Sequence, residues 1–130
     1  MGLLDIFKGP RDIVKEEMVE IPWHVLGKMD QLEAILEASK TTPVAIFKHS
    51  TRCGISRGVL KLFEKNYNLT DDQLKLYYLD LLQNRDISNE IAGRFGIQHE
   101  SPQLLVIKNG EVVYHDSHHA IQASDLEKFV

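Results

Sequence analysis

The sequence predicts one α/β domain with a central mixed sheet and flanking helices. Strand-like apolar runs alternate with segments of helical spacing through most of the chain, which favours parallel strands joined by helical crossovers. Near the C-terminus, Asn109-Gly110 lies between two strand-like runs and predicts an antiparallel hairpin. A chain of 130 residues suits one hydrophobic core, and its 43% hydrophobic and 26% charged residues are typical of a globular protein.

The predicted elements follow one another in the order β-α-β-α-β-α-β-β-α. Strands are expected over 23–26, 44–48, 74–80, 103–108 and 111–115. Helices are expected over 29–38, over about 55–63, over 86–95 and over 123–130. Gly96 is placed to end the third helix in a left-handed conformation, and Ser124 to cap the last one.

Two regions of the chain are distinguished. Residues 1–21 are interpreted as a leader segment, because Gly9-Pro10 interrupts a short apolar stretch and Ile21-Pro22 precedes the first strand. Residues 22–130 then form the domain. The N-terminus has neither the basic start nor the apolar stretch of a signal peptide, so a cytoplasmic location is expected. The net charge of −4 and the short apolar runs predict no nucleic-acid partner and no membrane partner.

Cys53 is the only cysteine, so the chain cannot form an internal disulfide. It lies where the second predicted strand passes into a helix, and a helix N-terminus favours a thiolate. Between Lys48 and Lys61 the chain also carries Arg52 and Arg57 but no acidic residue. A lone intracellular cysteine is often a small buried hydrophobe, but this cationic setting favours a reactive one. Any redox chemistry then takes its second sulfur from another molecule.

The residues around Cys53 carry a family resemblance. Residues 47–56 read FKHSTRCGIS, and Ser101-Pro102 precedes a strand. With the element order, these features resemble the thioredoxin-like superfamily and, within it, the YtxJ-type monothiol bacilliredoxins, over about residues 22–130. Ser56 replaces the second cysteine of the thioredoxin motif. Arg52 replaces its usual aromatic residue, and Phe47 its buried acid. These departures argue against a general dithiol reductase.

The resemblance implies a monothiol thiol–disulfide oxidoreductase of the thioredoxin-like fold. Cys53 would remove a low-molecular-weight thiol, bacillithiol by family, from S-thiolated client proteins, and a second small thiol or a reductase would regenerate it. The small thiol is a co-substrate, and no bound cofactor or metal is expected. Residues expected to tune or contact the sulfur are Thr51, Arg52, Gly54, Ser56 and Arg57, and a cis-proline loop of Ser101 and Pro102 would face the substrate.

Several alternatives remain open at this point. The chain could be a non-catalytic protein-binding module of the thioredoxin fold, or a stress-response protein whose thiol is only passively modified. Pro102 could simply open an edge strand. His49 could act as an acid or base or hold the loop, and the holding role is favoured. The segment 115–119 contains three histidines that could bind a metal, but a solvated turn is the preferred interpretation.

Overall fold

A computed structural model of the protein describes residues 21–130, so the predicted leader lies almost entirely outside the described residues. The strands are β1 Trp23–Val25, β2 Val44–His49, β3 Lys75–Asp80, β4 Gln103–Lys108 and β5 Glu111–Ser117. The helices are α1 Gln31–Ala38, α2 Gly54–Asn66 and α3 Arg85–Phe95, followed by 3₁₀ helices at His118–Ala120 and Ala123–Phe129. The element order agrees with the sequence prediction from β1 through β5.

The five strands form one mixed sheet in the order β1-β3-β2-β4-β5. β1, β3 and β2 are parallel, whereas β4 runs antiparallel to β2 and β5 antiparallel to β4. Helical crossovers join the parallel strands, as parallel pairing requires. The predicted mixed sheet is therefore confirmed, with β2 at its centre.

Both faces of the sheet are covered, and β2 shows how its side chains divide between them. Ala45 and Phe47 face one core with Phe63 of α2, while Val44 and Ile46 face a second core with side chains of α1 and α3. Successive strand residues point to opposite faces, so every residue of β2 is buried. The same alternation decides where Lys48 and His49 point.

The hairpin and one helix end follow the sequence signals. Asn109 and Gly110 have φ values of 53° and 76°, which is the left-handed pair that a tight hairpin turn needs. Gly96 ends α3 with a φ of 67°. β5 continues to Ser117, two residues beyond the expected 115, because it stays paired with β4 up to Gln103.

The C-terminal segment differs in type from the prediction. A helix over 123–130 was expected, but the structure has a 3₁₀ helix over Ala123–Phe129, preceded by Gln122, and no side chain caps it. Ser124 therefore does not act as the cap. A short uncapped terminal segment gains little from α-helical hydrogen bonds, and burial of Ala123 and Leu126 against the α2 core holds it in place. Within 21–130, no helix is long and apolar enough to cross a bilayer.

Candidate active site

Cys53 lies at the edge of the sheet where the parallel strands end. β2 finishes at His49, and α2 begins at Gly54 only five residues later. The Cys53 amide donates to the Ser50 carbonyl at 3.2 Å, and its own carbonyl accepts from the Arg57 amide at 3.0 Å. The cysteine is half-buried, directly precedes α2, and has no acidic residue in the first helical turn after it. The unpaired N–H groups there favour an anion at this position.

The Ser101–Pro102 segment lies beside the same strand end. Gln103, the first residue of β4, is paired with Lys48 near the end of β2. Pro102 is therefore adjacent to the strand from which the Cys53 loop departs. The peptide bond between Ser101 and Pro102 is cis, as the resemblance implied. The Pro102 carbonyl accepts a hydrogen bond from the His118 amide at 3.0 Å.

The Ser56 hydroxyl forms hydrogen bonds within the loop and not with the Cys53 sulfur. We expected its hydroxyl to donate to Cys53, but Ser56 is fully buried and its Oγ lies 2.8 Å from Nδ1 of His49. The Ser50 amide donates to the same oxygen at 3.1 Å. Among the described residues the Ser56 hydroxyl makes no hydrogen bond to Cys53. The side chain points down from the first turn of α2 toward the end of β2, which explains the difference.

His49 is buried beneath the loop. Its ring packs against Tyr78 with the centroids 5.6 Å apart. Burial lowers the pKa of His49; nearby Arg57 also lowers it, while Asp80 and Glu64 oppose the shift. The imidazole is therefore neutral at pH 7 and pairs with Ser56 through one ring nitrogen. This geometry agrees with the holding role that the sequence favoured.

The cationic residues predicted around Cys53 divide into two groups. Arg57 reaches back over the loop, where its Nη1 donates to the Thr51 carbonyl at 3.1 Å, and Arg52 and Lys61 are exposed. Lys48 is not part of this surface. It is fully buried on the face of β2 opposite His49, because neighbouring strand residues alternate. The exposed cations around Cys53 are therefore Arg52, Arg57 and Lys61, without the Lys48 that we expected among them.

The approach to the sulfur is open and partly apolar. Ile55, two residues beyond Cys53, has 52% of its surface exposed at the start of α2. At Gly54, a side-chain Cβ would find only the Arg57 guanidinium, 3.9 Å away. Thr51 is also exposed. Thr51, Gly54 and Arg57 thus belong to the loop and first helical turn that carry Cys53, while the roles of the predicted site residues toward the sulfur remain predictions.

The three histidines of segment 115–119 are solvent-exposed, as expected, but the segment is the end of β5 followed by a 3₁₀ helix and not a simple turn. His115 belongs to β5, and His118 opens a 3₁₀ helix with a φ of 54°. In the part of the chain that the structure describes, no three His, Cys, Asp or Glu side chains are grouped so that they could hold a metal ion.

Sequence reasoning missed one buried group near the site. Lys48 Nζ donates to the Ser88 carbonyl at 3.3 Å and lies 3.5 Å from Nδ1 of His99. Burial lowers the pKa of Lys48 to about 8. The apolar run of residues 44–47 already indicated a buried strand, and continuing its alternation by one residue would have placed Lys48 inside.

Comparison with known proteins decides the family. The family model for the monothiol bacilliredoxin BrxC matches residues 24–126. The chain belongs to the monothiol bacilliredoxin family. A solved structure described as an oxidoreductase with a thioredoxin fold is 36% identical, with a TM-score of 0.70 over 82% of this chain and 92% of that one. The resemblance and the thioredoxin-like fold are thereby confirmed.

More distant structures show the same fold. Thioredoxin from Malassezia sympodialis is 23% identical to this bacilliredoxin, with a TM-score of 0.60 over 81% of this chain and 84% of its own. Thioredoxin f from spinach chloroplast is 17% identical, with a TM-score of 0.61 over 82% and 89%. Family and fold together support a thiol redox function for the bacilliredoxin.

Proposed function

We propose that this bacilliredoxin removes a low-molecular-weight thiol from mixed disulfides on client proteins, with Cys53 as its nucleophile. The observation that carries the proposal is the position of the only cysteine, half-exposed at the N-terminus of α2 and just beyond the end of β2, whose neighbour β4 directly follows Pro102. A thiolate is the form of a cysteine that attacks a disulfide.

The exchange needs two steps. The Cys53 thiolate attacks the small-thiol sulfur of the mixed disulfide, the old S–S bond breaks, and the client leaves as a thiolate that takes up a proton. Cys53 then carries the small thiol as a disulfide. A second small thiolate, or a reductase thiolate, attacks that adduct and releases Cys53 as a thiolate again. Each step is an exchange of one disulfide for another, so no further oxidant or reductant enters.

The first turn of α2 supports an external second step. The resolving position of a dithiol enzyme is occupied by Ser56, whose hydroxyl is committed to His49 and Ser50 beneath the loop. A hydroxyl cannot form a disulfide. The adduct on Cys53 therefore waits for a thiol from solution, which distinguishes this cycle from that of a thioredoxin.

The exposed cations favour an anionic small thiol. Arg52 directly precedes Cys53, Arg57 and Lys61 follow it on α2, and all three are exposed; the Arg57 guanidinium donates to the Thr51 carbonyl of the loop. Carboxylates of a bacillithiol molecule would pair with guanidinium groups at such a surface. Bacillithiol, the thiol that the family name implies, is accordingly the proposed co-substrate. A cytoplasmic location and a role under oxidative stress belong to the same proposal.

A panel of mixed disulfides tests the proposal. One reporter protein with a single cysteine is loaded separately with bacillithiol, coenzyme A, cysteine or glutathione, and release of each thiol is followed by mass spectrometry. We expect fastest release from the bacillithiol adduct and none with Cys53→Ser. Equal rates of release from all four mixed disulfides would contradict the proposed preference for bacillithiol. Absence of release from any of them would favour a non-catalytic binding module.

A further inference from the structure

Lys48 is a buried cation without an acidic partner. Its side chain is fully buried in the sheet face that α3 covers, and no Asp or Glu within 21–130 forms an ion pair with it. The ammonium donates to the Ser88 carbonyl at 3.3 Å and lies 3.5 Å from His99 Nδ1. A buried charge with such sparse compensation is costly, and an apolar side chain of equal size would be cheaper. Stability therefore does not explain a lysine here.

The groups around Lys48 belong to the segment that leads into the cis-proline. Ser88 Oγ lies 3.1 Å from His99 Nδ1, so the histidine nitrogen is approached by two donors and acts as an acceptor. His99 is only three residues before Pro102. The lysine thus links β2, which leads into the Cys53 loop, to α3 and to the chain just before Pro102.

Gln103 completes this arrangement on the other side of Pro102. It is paired with Lys48 across β2 and β4, so both side chains point to the same face of the sheet. Its Nε2 donates to the Gln98 carbonyl at 2.9 Å, closing the segment 98–103 on itself. Its Oε1 is buried without a partner among the described residues. The segment carrying the cis peptide is therefore held at both ends by buried polar groups.

From this geometry we propose that Lys48 is a positioning residue that holds the segment 98–103 as the wall opposite Cys53. The proposal rests on the exchange function proposed above and adds a residue to it. Lys48 does not touch the sulfur, because it lies on the opposite face of β2. It acts on the backbone that an extended client would pair with, so client binding depends on it and nucleophile reactivity does not.

The test compares Lys48→Met with Lys40→Met, which makes the same change at an exposed lysine. Each variant is assayed for kcat and KM with a peptide carrying a mixed disulfide, and for the alkylation rate of Cys53 by iodoacetamide. We expect KM to rise about 10-fold for Lys48→Met, with kcat and alkylation changed by less than about twofold. Lys40→Met should match the wild-type protein.

Two further measurements keep the outcome decisive. His99→Ala removes the imidazole acceptor at a residue that is largely exposed, and should also raise KM; His115→Ala is its exposed control. Amide hydrogen exchange of residues 98–103 should accelerate in Lys48→Met and His99→Ala. The proposal is overturned if KM is unchanged in His99→Ala and in folded Lys48→Met. It is also overturned if alkylation of Cys53 in Lys48→Met slows by the same factor as KM rises. If the wild-type protein shows no thiol–disulfide exchange, the proposed function fails. The amide hydrogen exchange measurement then still decides whether Lys48 holds the segment 98–103.

Discussion

His49 Nδ1 lies 2.8 Å from Ser56 Oγ, and this contact joins the end of β2 to the first turn of α2. The Ser50 amide donates to the same oxygen at 3.1 Å. The loop that carries Cys53 is thus held from beneath by two side chains that make no hydrogen bond to the sulfur among the described residues. Ser56, at the position of a resolving cysteine, has become part of the support for the nucleophile.

Ser56→Ala should destabilise the protein by about 2–3 kcal/mol, because it leaves the Ser50 amide and a His49 ring nitrogen buried without partners. Urea unfolding followed by circular dichroism measures the change. Ser124→Ala is the matched control, since Ser124 is exposed in the C-terminal 3₁₀ helix. A loss no greater than that of the control would show that the brace contributes nothing.

Ser56→Cys should form an internal disulfide with Cys53 under mild oxidant. Side chains three residues apart in a helix are neighbours, which a disulfide requires. The expected result is a mass loss of two hydrogens without dimerisation. Gly58→Cys, five residues from Cys53 at an exposed position, should instead give dimers or small-thiol adducts. Two free thiols in oxidised Ser56→Cys would contradict the placement of residue 56 in this turn.

The buried His49 predicts a loss of stability in mild acid. Its pKa is lowered in the folded protein from an ordinary value of 6.5 by burial. Below that ordinary value the unfolded chain therefore binds a proton that the folded one resists, and the free energy of unfolding falls with pH. His49→Asn, which retains a hydrogen-bonding group toward Ser56 but does not titrate, should decline less between pH 7 and 5. Parallel declines of the two proteins would refute this role.

Lys48 predicts the complementary change in alkali. The folded protein releases its proton near pH 8, whereas the unfolded chain holds it until about its ordinary value of 10.5. The free energy of unfolding of the wild-type protein should therefore rise by about 3 kcal/mol across this interval, relative to Lys48→Met. Denaturant unfolding at pH 7.5 and 10.5 measures both proteins. A constant difference between them would mean that Lys48 is not buried as a charge.

Much of the fold could be predicted because its signals are local. The apolar run at 44–47 identifies the central strand, Asn109-Gly110 the hairpin, and Gly96 a helix end. The sequence did not distinguish an α-helix from a 3₁₀ helix in the C-terminal segment. Its apolar residues suit both, and its conformation depends on packing against α2. Local propensity does not distinguish those two outcomes.

The site was predicted in part. Position along the chain places Cys53, Ser56 and Arg57 together, because a helix start brings consecutive residues close. The partners of Ser56 and Lys48 come from other elements, and charge alone suggested that Lys48 was exposed. His99 is 51 residues from Lys48, so only the folded chain brings them together.

Transfer of a small thiol from a client to Cys53 is the central claim, and a single-turnover experiment measures it directly. Equal amounts of reduced protein and a bacillithiolated client are mixed, the reaction is quenched with acid, and both proteins are analysed by intact-mass spectrometry. The account predicts that the protein gains one bacillithiol, on Cys53, at the rate at which the client loses it, and that Cys53→Ser gains none. A client that keeps its bacillithiol, or a stable disulfide between client and Cys53 in place of the adduct, would contradict the account.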